Sequence, residues 1–351
     1  MKLATTAVAV AAAGAIGLGV LTMPASAGAE PSLPPVSAED LVASVLTTKV
    51  PALGGTVTVH NALGLPALPG VAAPLTQPQT TFRVWSDGQG HGRLALPSRS
   101  GEQVLVEDGT TLWRYDSTSR TATALEHGAN SGHERTPVTD PAQAARELVS
   151  AVRKSSTVAV DGTGTVAGRP VYQLVLTPAP SERTLLREVR VAVDSAQRVP
   201  LQLTVLANGS PDPALQIGFS DLTVGAQDPA LFHFTPPAGI KVEKPKTGPD
   251  TGPRPAHHQG AMIRTQGEGW DTVVLGQLPP PTPEAKNTPP ATPEARNNPL
   301  ALVARIGRPA DGPWGHGWVI QTKVGTVLVV SDGRFAVGAV PQQVLDEALA
   351  R

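Results

Sequence analysis

Asp161-Gly162-Thr163-Gly164 is the string in this chain most suggestive of catalysis, because an aspartate in that setting can serve acid hydrolysis. Such chemistry needs two aspartates sharing one proton, so that one is ionised while the other stays protonated. Only one copy of the string occurs, and it is read here as a turn between strands. The eight His are scattered. His257-His258 falls in a Pro/Gly-rich stretch, and His91, His127 and His133 fall at expected loop tips. A metal centre needs three or four ligands held by further hydrogen bonds, and this spacing does not supply them. Trp314-Gly315-His316-Gly317-Trp318 is read as a glycine turn with two packed aromatics. Nucleophile-elbow, zinc-protease, phosphate-loop and dinucleotide-binding motifs are all missing. With no Cys in the chain, thiolate nucleophiles, disulfides and cysteine-ligated zinc are excluded. The expectation is a protein without a catalytic site, metal or cofactor.

A different kind of candidate lies at 61–75, where Leu63, Leu65, Leu68, Val71 and Leu75 are interspersed with Pro and Gly. The breakers forbid a regular helix or strand there. A loop this apolar must cover something apolar. It is either a lid over a hydrophobic cavity or a loop packed permanently on the core, and the sequence allows both.

The elements that would position such a site follow from periodicity. Ser37 caps a helix with Asp40 three residues on, and Leu41 and Val45 share its inner face. From Gly54 the period changes to two: Val57 and Val59, Phe82 and Val84, then Leu94 and Leu96 recur at every second position. Asp87-Gly88 and Asp108-Gly109 sit between the runs as tight-turn signals, so the strands form an antiparallel meander. A second helix begins near Thr139-Asp140-Pro141, with Ala145, Leu148, Val149 and Val152 as its apolar stripe. Strands then resume to about residue 224. About eleven strands and two helices imply one large curved sheet with helices over one face. The alternating residues Val57, Val59, Phe82, Val84, Leu94 and Leu96 are candidates for lining an apolar cavity, although the sequence does not say which face is hollow. A linker (243–259) leads to a small α+β module (260–351) that contains a Pro-rich loop (278–298), read as disordered.

Composition sets the remaining bounds. The chain has 351 residues, 40% hydrophobic and 16% charged, which suffices for a core. Net charge is −1 and there is no long basic block, so nucleic acid is not an expected partner. Lys2, an uncharged Ala/Val/Gly/Leu run and Ala25-Ser26-Ala27 form a secretory signal, with cleavage expected after Ala27. The alternative, a membrane anchor, has a run barely long enough to span.

Four stretches in order carry a family resemblance: 108–116 (Asp108-Gly109-Thr110-Thr111-Leu112-Trp113-Arg114-Tyr115-Asp116), Gly168-Arg169-Pro170-Val171-Tyr172, Val191-Ala192-Val193-Asp194 leading to Val199-Pro200-Leu201, and 228–242 with Phe232-His233-Phe234 and Pro236-Pro237-Ala238-Gly239. Over residues 38–242 the chain resembles the superfamily of the lipoprotein carrier LolA and the N-terminal domain of the sigma-factor regulator RseB. That resemblance implies an unclosed antiparallel β-barrel of about eleven strands with a helical lid. It implies non-catalytic binding of a lipid or lipoprotein acyl chain, or, in the regulator, of a membrane-anchored anti-sigma protein. The extra C-terminal module is closer to the regulator, and no counterpart of the carrier's lid-locking arginine is placed, although Arg83 and Arg93 lie on suitable strands.

Overall fold

The computed structural model describes residues 31–65, 76–98, 101–126, 141–243, 263–278 and 299–350. Residues 1–30, 66–75, 127–140, 244–262 and 279–298 lie outside them. Eleven strands, β1 (Leu53–Asn61), β2 (Gln79–Ser86), β3 (Gly92–Ser98), β4 (Gly101–Glu107), β5 (Thr111–Asp116), β6 (Thr121–Glu126), β7 (Ser156–Val166), β8 (Arg169–Pro178), β9 (Leu186–Asp194), β10 (Pro200–Ala207) and β11 (Pro213–Val224), form one antiparallel sheet. A short β12 (Lys241–Glu243) adds a twelfth strand, parallel to β6. The order is β12-β6-β5-β4-β3-β2-β1-β11-β10-β9-β8-β7. The two end strands do not pair, so the barrel is open, as expected. Residues of β7 approach β11 across three intervening strands, which shows how strongly the sheet curls.

Two helices, α1 (Ala38–Thr47) and α2 (Pro141–Val152), pack against each other and onto β7. Ser37 caps α1 by accepting the Asp40 N–H at 3.0 Å. Beneath the helices, Leu41, Ala38 and Val149 bury against Val158, Val160, Tyr172, Leu174 and Val193. Leu148, expected in the apolar stripe of α2, is instead exposed.

The second sheet has six strands in the order β13-β14-β18-β17-β16-β15. They are β13 (Arg264–Gln266), β14 (Val273–Gln277), β15 (Arg308–Gly312), β16 (Gly315–Gln321), β17 (Thr326–Val330) and β18 (Arg334–Gly338). Helix α3 (Pro299–Ile306) contacts β16, and α4 (Gln342–Leu349) buries Val344, Leu345 and Ala348 against Leu275, Leu328 and Ala336. Trp314 joins this core and donates its indole N–H to Asp346 at 2.9 Å, as the packed-aromatic reading requires.

One local expectation is corrected. Asp161-Gly162-Thr163-Gly164 is no hairpin turn: it lies inside β7 at a bulge between Val160 and Thr163, where Gly162 takes φ 84°. Gly is required there because a side chain resists positive φ. Arg308–Gly312, which shows no alternation, pairs with β16 as the edge strand of its sheet.

Candidate functional site

Registers show which side chains share a face. Val160, Leu174, Val191, Leu203, Ile217 and Val59 pair in turn across β7, β8, β9, β10, β11 and β1. Two residues along β1, Phe219, Val57 and Phe82 form the next row. A third row runs Val84, Leu94, Leu105. Side chains alternate along a strand, so Val57, Val59, Phe82, Val84, Leu94, Leu96 and Leu105 lie on one side of β1–β4. The six sheet residues singled out from alternation, Val57, Val59, Phe82, Val84, Leu94 and Leu96, are therefore brought together. Leu105, Leu203, Ile217 and Phe219 belong with them and were missed, although the same period-two pattern marks them.

Cover over this face is uneven. The β7–β9 end is sealed by the helices. Val57 and Val59 are buried, but Phe82, Val84, Leu94, Leu96 and Leu105 stay only half-buried. The other side of β3–β6 is closed. Ala95, Val104 and Val106 pack there with Trp113, Tyr115 and Phe234. Phe234 stacks at 5.5 Å on Trp113 and 5.6 Å on Tyr115. Asp228 caps the preceding 3-10 turn by accepting the Ala230 N–H, and Phe232 is buried. The Phe-x-Phe stretch is thus a strap over the packed side, leaving the half-covered apolar rows on the other.

The 61–75 segment divides. Leu68, Val71 and Leu75 lie outside the described residues. Leu63 and Leu65 pack with Ala207, Ala214, Leu215 and Val324, so they join the β10–β11 hairpin to the second sheet. The Leu63 carbonyl accepts the Lys323 N–H at 3.1 Å. These two leucines plug a junction between the sheets rather than close over the half-buried rows.

That junction is built from specific polar contacts. Glu182 accepts the backbone N–H of Trp270 (2.8 Å) and Asp271 (3.2 Å). The Trp270 indole donates to Ser156 Oγ at 2.6 Å. The Ala339 carbonyl accepts from Thr184 Oγ1 (2.6 Å) and from the Leu185 N–H (2.8 Å), and Arg183 pairs with Glu347 at 2.8 Å. Gly269, at φ 73°, allows the approach: a Cβ there would lie 2.6 Å from Ser155 Cβ and 2.9 Å from Glu182 Oε2. Gly269→Ala should cost about 1–3 kcal/mol from overpacking and backbone strain. Differential scanning calorimetry should then show the two sheets melting in separate transitions; an unchanged profile would show that the close approach is dispensable.

Arg169 and Asp194, both in stretches that carry the family resemblance, form an ion pair between the β7–β8 and β9–β10 turns. Burial alone would raise the Asp194 carboxyl. Arg169 and the N–H groups of Gln197 and Ala196 outweigh it and hold the carboxyl below the usual range.

No family model matches the sequence, and no curated protein matches it. Among solved structures, the Pseudomonas aeruginosa MucA/MucB complex is similar at 17% identity and TM-score 0.45, over 89% of this chain and 96% of that one. A LolA superfamily protein from Nitrosomonas europaea is similar at 13% identity and TM-score 0.24, over 57% and 99%. The Mycobacterium tuberculosis lipoprotein LppX is similar at 11% identity and TM-score 0.29, over 52% and 92%.

Proposed function

We propose that this chain is an exported, non-catalytic binding protein that holds a lipid or lipoprotein acyl chain against the half-covered face of its large sheet. The observation that carries this reading is the run Phe82, Val84, Leu94, Leu96 and Leu105, apolar, contiguous and incompletely buried. Hydrocarbon transfer from water is favourable by about 0.8 kcal/mol per buried methylene. Roughly a dozen methylenes would contribute on the order of 10 kcal/mol before the losses of ordering. Recognition of this kind needs area and no reactive group. The half-barrel unit (residues 28–242) and the small module (260–351) are taken as separate domains.

Native mass spectrometry of the protein purified from its own envelope fraction should show adducts of lipid mass. Leu94→Lys should weaken binding of a fluorescent fatty acid by about tenfold to a hundredfold, since an ammonium resists burial beside hydrocarbon. Glu102→Lys, on the other side of the sheet, should leave binding unchanged. Equal binding by all three proteins would remove the sheet face as the site.

A second reading is a regulator that grips the extracytoplasmic part of a membrane-anchored anti-sigma protein. It is favoured by the polar fastening of the two sheets through Glu182, Trp270, Thr184 and Ala339, which a simple carrier does not require. Affinity capture of one membrane protein, abolished when the module is detached, would favour it over the carrier.

A further inference from the structure

We propose that the junction between the two sheets holds a second apolar site, separate from the large sheet's open face, that takes one unbranched hydrocarbon chain. The cleft measures about 410 Å³ and every residue lining it is uncharged. One wall comes from the large sheet and α2: Val152, Leu176 and Leu186. The other comes from the segments that lead into and out of the second sheet: Gly269, Trp270, Thr272 and Ala339.

Trp270 is a fixed wall. Its indole N–H is tied to Ser156 and its backbone N–H to Glu182, on opposite ends of the residue. A ring held this way keeps its flat face available without first having to be ordered, which favours binding. The size falls in the range of small-molecule pockets.

The polar atoms around the cleft select the occupant. Ser156 Oγ accepts from Trp270, Thr272 Oγ1 donates to the Gly269 carbonyl at 2.9 Å, and Ser155 Oγ donates to the Val152 carbonyl at 3.4 Å. The Ala339 carbonyl already accepts two hydrogen bonds. An extended peptide buried here would meet only the spare donor and acceptor capacity of three hydroxyls, too little for its backbone N–H and C=O groups, and each group left over costs about 1–3 kcal/mol. A hydrocarbon chain has no such groups and gains from area alone. The lining therefore discriminates in favour of an acyl tail, with its polar head outside the cleft.

This goes beyond the sheet-face reading, and brominated fatty acid tests it in the full-length protein. Bromine quenches a tryptophan it touches, so 9,10-dibromostearate should quench the wild-type fluorescence. Trp270→Phe should lose most of that quenching at saturating probe, while native mass spectrometry still counts the bound chain. Ala339→Phe, which adds a ring to the lining of the cleft, should weaken binding at this site at least tenfold, with its circular dichroism unchanged. Quenching that persists in Trp270→Phe, or undiminished binding by a folded Ala339→Phe, would overturn the proposal. Leu94→Lys separates the two readings: binding lost there but kept in Ala339→Phe leaves only the open face, and the converse leaves only the junction. If no chain binds the wild type, both fall.

Discussion

Replacing Asp194 by Ala should destabilise the protein by about 3 kcal/mol, among the largest single losses expected for a polar residue in this fold. The carboxylate is 1% exposed, and four donors converge on it. Arg169 donates from both Nε and Nη2, the latter at 3.2 Å. The Ala196 and Gln197 N–H groups donate at 2.8 and 2.6 Å. Removing the acceptor leaves a partly buried guanidinium and two turn N–H groups without their partner, and it frees the turn in which Arg198 holds φ 55°. Asp194→Asn should cost less, because the amide oxygen can still accept from the turn while the charge opposite Arg169 is gone. Urea unfolding of the three proteins measures the differences.

The same carboxylate makes stability depend on pH. Its value in the fold lies below the unfolded value of 3.8, so the folded state favours the ionised form. Its contribution is complete well above pH 3.8 and fades as pH falls through 3.8 towards the lower folded value. The gap between wild type and Asp194→Ala should therefore be constant at neutral pH and shrink under acid. A gap that widened on acidification would mean that the carboxyl is not held ionised.

The meander was legible because apolar residues recur at every second position in β1, β2 and β3, and because Asp-Gly pairs at 87–88 and 108–109 supply the positive φ of their turns (75° at Gly88, 91° at Gly109). What escaped has a physical reason in each case. β12 has three exposed residues and rests on parallel pairing with β6, which leaves no alternation to read. Gly162 has the composition of a turn, and a bulge uses the same backbone freedom in mid-strand. Leu63 and Leu65 were recognisable as residues that must be covered, but their cover is a hairpin some 150 residues away and Val324 of another sheet. Sequence spacing carries no trace of that meeting. Trp270 escaped for the same reason, although Gly267 and Gly269, both at positive φ, mark the tight backbone that delivers it. The most family-like stretches prove to be structural fastenings: Arg169 with Asp194, and Phe232 and Phe234 strapped over β3–β6. The apolar rows of β1–β4 contain only ordinary alternation, so their position had to come from register.

Leu41→Ala should be the other large loss, again about 3 kcal/mol, because Leu41 has no exposed surface and sits where α1 meets the sheet. Around it lie Tyr172 and Val193 from the sheet, Leu33 and Val36 from the lead-in, and Val45 from the next turn of α1. The Tyr172 hydroxyl donates to the Pro34 carbonyl at 2.9 Å, so the lead-in is tied to the sheet and has little freedom to collapse into a void. A cavity that cannot close is the costly case. Leu41→Met, which nearly conserves volume, should cost less than about 1.5 kcal/mol. Because α1 is only ten residues long, it depends on this packing to stay helical. Amide exchange in Leu41→Ala should therefore quicken throughout α1, and in its partner α2, before it quickens in β1–β5. If exchange rose uniformly across the sheet, α1 would be an integral part of the sheet's cooperative unit and could not move separately as a cover for the apolar rows beside it.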